Sequence, residues 1–242
     1  MRLSRNRSNR RQAGFSLIEL IIAIFVLIIV MAAVFSQINQ IQKRTKVESL
    51  KLDLTQESRD LMDQFVRDLH MSGYPKPRIY QNAPLWDSGL PGVTSYALGL
   101  VKATPTELRF EGDIVGDGTV YSVSYIYVAS DANDPNCPCL RRSVDKKTIT
   151  NNPAGGYTPV YYTEIQNVID PTGMTQGVFT YWQATGTQVN VGTGLLFPGD
   201  SSTLQQIDAI KLTLNTRSLQ FDPHTGQRTI VNSMATIAQL EN

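Results

Sequence analysis

Sixteen consecutive apolar residues, Leu20 to Phe35 (LIIAIFVLIIVMAAVF), constrain this chain more than any other feature. Counted back to Phe15, the run has twenty-one residues interrupted only by Ser16 and Glu19. As a helix it is about 31 Å long, which matches a hydrocarbon core of about 30 Å. Residues 15–35 are therefore expected to cross a bilayer. Arg2, Arg5, Arg7, Arg10 and Arg11 precede the run with no acid among them, while Lys43, Arg44 and Lys46 beyond it are fewer and more distant. That asymmetry keeps the N-terminal side cytoplasmic and sends the rest of the chain to the other side.

The polarity beyond Phe35 becomes periodic, and no Gly or Pro interrupts the chain until Gly73. Val47, Leu50, Leu54, Leu61, Phe65 and Leu69 recur at helical spacings and define one apolar stripe. Arg59, Asp63 and Arg67 form an i,i+4 charge ladder on another face. Gly73 and Pro75 then supply a stop. These signals predict one helix from about Phe15 to about Ser72, with residues 36–72 as an amphipathic stalk whose stripe packs under the body.

Glu19 sits one turn inside the apolar helix, where a carboxylate costs at least about 2.5 kcal/mol unless it is paired or neutralised. No basic residue of the same helix lies within reach. If the chain were cut between Gly14 and Phe15, the new α-amino group of Phe15 would be a cation at matching depth for the Glu19 of a neighbouring copy, and burial of both charges is favourable only as a pair. An ordinary secretory signal fits poorly: the apolar stretch is too long and no Ala-x-Ala follows, Val34-Phe35-Ser36 being the nearest approach.

The arginine-rich leader, Gly14, Phe15 and the following SLIELIIAIFVLIIV resemble the class III signal of type IV prepilins and type II secretion pseudopilins. The resemblance implies that residues 1–14 are a leader removed between Gly14 and Phe15 by a prepilin peptidase, that Phe15 is N-methylated, and that Glu19 registers subunits. It also implies as partners the major pilin, other minor pilins, an inner-membrane assembly platform and membrane lipid. Phe65 to Tyr74 (FVRDLHMSGY) is similar to the helix end of PilW-type minor pilins and J-type minor pseudopilins. Major pilins commonly carry a proline where this chain has Ser36, and the tip-most minor pseudopilin typically lacks the glutamate retained here as Glu19. Both differences point to a minor subunit other than the tip.

Residues 73–242 hold all 12 prolines and read as an extracytoplasmic β-rich globular domain. Glu107–Phe110 and Thr119–Ala129 flank a Gly/Asp turn as a hairpin, and further strands are expected at Cys139–Val144, Thr158–Thr163, Val178–Gln183, Ala209–Leu214 and Thr229–Leu240. The expected fold is α+β, a pilin-like ladle in which the long helix packs against an antiparallel sheet. Asp170-Pro171-Thr172-Gly173 and Asp222-Pro223-His224-Thr225-Gly226 read as turns.

Composition excludes several classes. Hydrophobic residues make up 41% and charged residues 18%, and the net charge is only +1, so neither a disordered chain nor a globally basic nucleic-acid binder is indicated. No nucleic acid partner and no cofactor are expected. Asp113 and Asp117 could offer oxygens to calcium, but the loop lacks the ligand spacing of a calcium-binding loop, and a turn is favoured. Cys137 and Cys139, with only His70 and His224 to assist, fall short of a four-ligand zinc site. Outside the cytoplasm an oxidised pair is favoured, though residues two apart close a small ring. His70 suits a helix C-terminus. Arg141-Arg142 and Lys146-Lys147 read as solvated basic pairs.

With no phosphate loop, nucleophile elbow or HExxH, an enzyme is not expected. The expectation is a membrane-inserted minor pilin that joins or primes a type IV pilus. A minor pseudopilin of type II secretion and an uncleaved, anchored surface-binding module such as an adhesin are the competing readings.

Overall fold

The computed structural model describes residues 16–74, 96–132, 134–135, 137–148, 158–169, 177–221 and 228–240. The chain divides into two units, Met1–Ser49 and Leu50–Asn242. In the first, helix α1 (Leu17–His70) begins with the apolar run, whose side chains from Leu17 to Phe35 are all exposed. It is long and apolar enough to cross a membrane. An apolar surface of this extent, turned outward on every side, needs lipid or other helices around it.

In the second unit, the C-terminal part of α1 carries the predicted stripe into a core. Leu61, Phe65 and Leu69 are buried, joined by Met62. Phe65 is the pivot, with its ring 5.3 Å from Tyr125 in an edge-on contact and 6.1 Å from Phe179 in a stacked one. These two aromatics belong to different sheets.

The first sheet contains β1 (Gly99–Ala103), β2 (Glu107–Gly112), β3 (Tyr121–Val128), β4 (Cys139–Lys146), β5 (Tyr162–Gln166) and, after β6 (Phe179–Trp182) and β7 (Gln188–Val189), the short β8 (Leu195–Leu196). Its order is β5-β4-β3-β2-β1-β8 and every pairing is antiparallel. A one-turn helix α2 (Ser201–Leu204) leads into the hairpin of β9 (Ala209–Phe221) and β10 (Arg228–Gln239), which builds the second sheet in the order β10-β9-β6-β7. The architecture is α+β, as expected, but with two antiparallel sheets where one was anticipated. The strand expected at Thr158–Thr163 begins four residues later, at Tyr162.

Register assigns the faces. Leu108, Phe110, Val123, Tyr125 and Leu140 share the side that packs on α1, because Leu108 stands opposite Tyr125, Phe110 opposite Val123 and Leu140 opposite Tyr127. On β9 the strict alternation places Ile210, Leu212 and Leu214 in the core and leaves Lys211 and Thr213 half-buried. The sheets meet at the turn before β2, where the amides of Val178 and Phe179 both donate to the Pro105 carbonyl at 3.0 Å. Gly177 permits that approach: its φ is +75°, and a Cβ there would lie 2.6 Å from Pro105 Cβ.

Candidate functional site

Ser16 enters α1 with its carbonyl accepting the Leu20 amide at 3.2 Å, the first bond of the helix. Its own N–H donates to Glu19 Oε2 at 3.1 Å. Ser16-Leu17-Ile18-Glu19 thus follows the S-x-x-E pattern in which the carboxylate closes back on the N-cap amide. The negative side chain also lies at the positive end of the helix dipole. Glu19 therefore has an intramolecular partner that sequence reasoning missed, although the spacing was there to find it. The carboxylate stays exposed and able to meet a second donor. Gly14 and Phe15 lie outside the described residues.

The other singled-out groups lie in the body or near its junction with α1. Asp113 Oδ1 and Oδ2 accept the amides of Gly116 at 2.7 Å, Asp117 at 3.2 Å and Gly118 at 2.8 Å, so this carboxylate is the anchor of a tight turn. Asp117 accepts the Thr119 amide at 2.8 Å and the Tyr121 hydroxyl at 3.3 Å. Cys137 and Cys139 are bonded to each other. His70 lies exposed in the last turn of α1, and His224 lies outside the described residues, as do both turns read from Asp170 and Asp222.

Of the two basic pairs expected to be solvated, Lys146 is exposed, but Arg141 and Arg142 are half-buried and Lys147 is buried. Arg142 points to the α1 side of the first sheet and meets Asp68 Oδ2 at 2.7 Å, with 15% of its side chain exposed. The Tyr125 hydroxyl donates to the same oxygen at 2.7 Å. Burial, reinforced by the Asp68 charge, pushes the Tyr125 hydroxyl well above its ordinary pKa. Lys147 is fully buried against Glu111, Nζ to Oε2 at 2.7 Å, and also donates to the Tyr96 carbonyl at 2.8 Å. Glu111 Oε2 accepts the Leu98 amide at 3.0 Å as well. Burial holds the Glu111 carboxyl above the ordinary range despite Lys147 beside it. Arg141, on the opposite face of β4 from Arg142, is clasped by Asp131 at 2.7 Å and Asp134 at 3.1 Å. A charge buried in this way needs its partner, and for Arg142 and Lys147 that partner is 74 and 36 residues away in sequence. These clusters tie the helix to the sheet and the Tyr96–Leu98 segment to β2.

Residues 9–35 match the family model of the prokaryotic N-terminal methylation motif. Among curated proteins, none matches the chain significantly. The matched stretch holds Gly14, Phe15, Ser16, Glu19 and the whole apolar run, and α1 begins within it at Leu17. At its N-terminus the chain thus carries a methylation motif like that of type IV prepilins, set on a helix long and apolar enough to cross a membrane.

Proposed function

We propose that this chain is a minor pilin subunit whose work is assembly and not catalysis. Residues 1–14 are the leader, cleavage falls between Gly14 and Phe15, and Phe15 is then N-methylated. Residues 15–35 hold the subunit in the inner membrane, residues 36–72 form the stalk, and residues 73–242 face away from the cytoplasm. Glu19 pairs with the Phe15 amine of a neighbour as the helix is drawn into a bundle with the major pilin and other minor pilins at an inner-membrane assembly platform.

The observation that carries this reading is the methylation motif at residues 9–35, whose apolar run opens a 54-residue helix at Leu17. The helix passes through Ser36 uninterrupted, in keeping with a subunit that lacks the proline of many major pilins. The test is the N-terminal mass of protein purified from membranes, with and without the cognate prepilin peptidase. Loss of residues 1–14 with one methyl group on Phe15 supports the reading. An intact N-terminus, or cleavage near Ser36, overturns it and leaves an anchored surface module. A second reading, a minor pseudopilin of type II secretion, draws on the same FVRDLHMSGY helix end. Deletion that abolishes secretion but spares pili would establish that alternative.

A further inference from the structure

We propose that Cys137 and Cys139 form a thiol–disulfide exchange site, with Cys137 as the attacking sulfur and Cys139 as the resolving one. The two are bonded across a separation of two residues, with Cα atoms 4.4 Å apart. A cross-link stabilises a fold chiefly by restricting the unfolded chain, and its effect grows with the logarithm of the loop it closes. A loop this short leaves little for the bond to restrict, so a purely structural role explains it poorly.

The surroundings of the two sulfurs differ in the way exchange requires. Cys139 opens β4 and is completely buried, whereas Cys137 lies in the preceding loop and is half-buried. Arg141 Nη2 approaches Cys137 Sγ at 3.6 Å. The guanidinium is held there by Asp131 and Asp134, whose contacts raise its pKa. A guanidinium donor beside a sulfur stabilises its thiolate, and the thiolate is the nucleophile. Cys137 is therefore the less buried residue and the one with a guanidinium donor against its sulfur, while an Asp134 carboxylate oxygen lies within 4.8 Å of both sulfurs.

In the reduced protein, the Cys137 thiolate attacks a disulfide RSSR, forming the Cys137–SR bond and releasing RS⁻. Cys139 then gives up its proton to solvent and attacks Cys137 Sγ, and the second RS⁻ departs as the Cys137–Cys139 bond closes. The protein dithiol is oxidised by two electrons and RSSR is reduced to two thiols; the reverse sequence opens the bridge. Asp131 and Asp134 are only partly buried, 23% and 22% exposed at the side chain. They make the mouth of the site acidic, so the matching reactant class is a thiol or disulfide carrying positive charge.

The experiment uses the full chain in detergent, with cystamine and oxidised glutathione as probes, acid quenching and intact mass. Reduced Cys139→Ser is expected to take up one cysteamine on Cys137, and Cys137→Ser to react at least about tenfold more slowly. Cystamine should outpace oxidised glutathione. Arg141→Gln should slow uptake about threefold, the change that a thiolate pKa shift of about one unit produces. In folded wild-type protein, cysteamine should open the bridge without unfolding the body. A bridge that opens only in urea, equal trapping by the two serine variants, or an Arg141→Gln rate equal to wild type overturns the proposal.

Discussion

Asp68 on α1 and Arg142 on β4, 74 residues apart in sequence, meet through one carboxylate oxygen, which lies 2.8 Å from Arg142 Nε and 2.7 Å from Nη2. The pair is mostly screened from solvent, and the Tyr125 hydroxyl completes it at 2.7 Å. It is the polar clasp between helix and sheet, set beside the aromatic contact of Phe65 with Tyr125.

Removing one partner of such a pair leaves the other charge buried and unanswered. Asp68→Ala is expected to cost the body about 3–5 kcal/mol, and replacing both residues by apolar ones, Asp68→Leu with Arg142→Met, should cost less than Asp68→Ala alone. Urea unfolding of the full chain in detergent, followed by tryptophan fluorescence, measures both. An Asp68→Ala loss below about 0.5 kcal/mol would place the pair among ordinary surface interactions.

Alkaline pH should unfold the body through two buried phenols. Tyr181 donates its hydroxyl to the Thr104 carbonyl at 2.8 Å, and burial pushes its pKa well above the ordinary value, as it does for Tyr125. The folded state therefore keeps two protons that the unfolded chain releases near pH ~10. Because the native state binds more protons there, unfolding free energy is undiminished below about pH 10 and falls as pH rises above it. A phenolate absorbance titration should show a late, cooperative phase coincident with loss of Trp182 fluorescence. A titration completed while the body remains folded contradicts this assignment.

Much of the fold could be read before the structure, wherever a local pattern carried the information. Leu61, Phe65 and Leu69 announce a buried helix face by spacing alone, and Ile210, Leu212 and Leu214 announce a half-buried strand by alternation. What escaped depends on contacts between distant residues. Arg142 and Lys147 look like members of solvated basic pairs because Asp68 and Glu111 lie 74 and 36 residues away. The start of β5 is not legible because Tyr161, Tyr162 and Thr163 are all good strand formers, and pairing with β4 decides which of them enter the ladder. β7 and β8 are two residues each, too short to carry a period. At the candidate site the missed feature was local: Ser16 and Glu19 have capping-box spacing, but a carboxylate in an apolar helix directs attention outward to a neighbour.

Gly112 is a position where the fold admits no side chain. The segment just after α1 bridges to β2 here, Ser72 opposite Gly112, and the Gly73 amide donates to the Glu111 carbonyl at 2.8 Å. A Cβ on Gly112 would lie 2.1 Å from the Met71 carbonyl oxygen. Gly112→Ala must push the helix end off the strand, an overpacking cost of about 3 kcal/mol. Gly116 has a φ of +78° with open space around it, so Gly116→Ala meets only backbone strain of about 1–2 kcal/mol. Thermal unfolding should rank Gly112→Ala as the more damaging; the opposite order would mean that the helix end yields freely.

Glu19 has two possible duties, and they separate by charge. Its carboxylate accepts the Ser16 amide within its own chain, and in the proposed assembly it also pairs with the Phe15 amine of a neighbour. Glu19→Gln keeps an acceptor oxygen for the Ser16 amide but removes the charge, while Glu19→Ala removes both. If pairing between subunits matters, both variants are processed normally and both are depleted from sheared filaments. If only the local cap matters, Glu19→Gln enters filaments like wild type and Glu19→Ala alone fails, since losing a capping interaction costs about 1 kcal/mol and frays the first turn. Quantifying each variant in the filament fraction against its amount in the membrane distinguishes the two, because a neutral amide cannot answer a buried ammonium group as a carboxylate does.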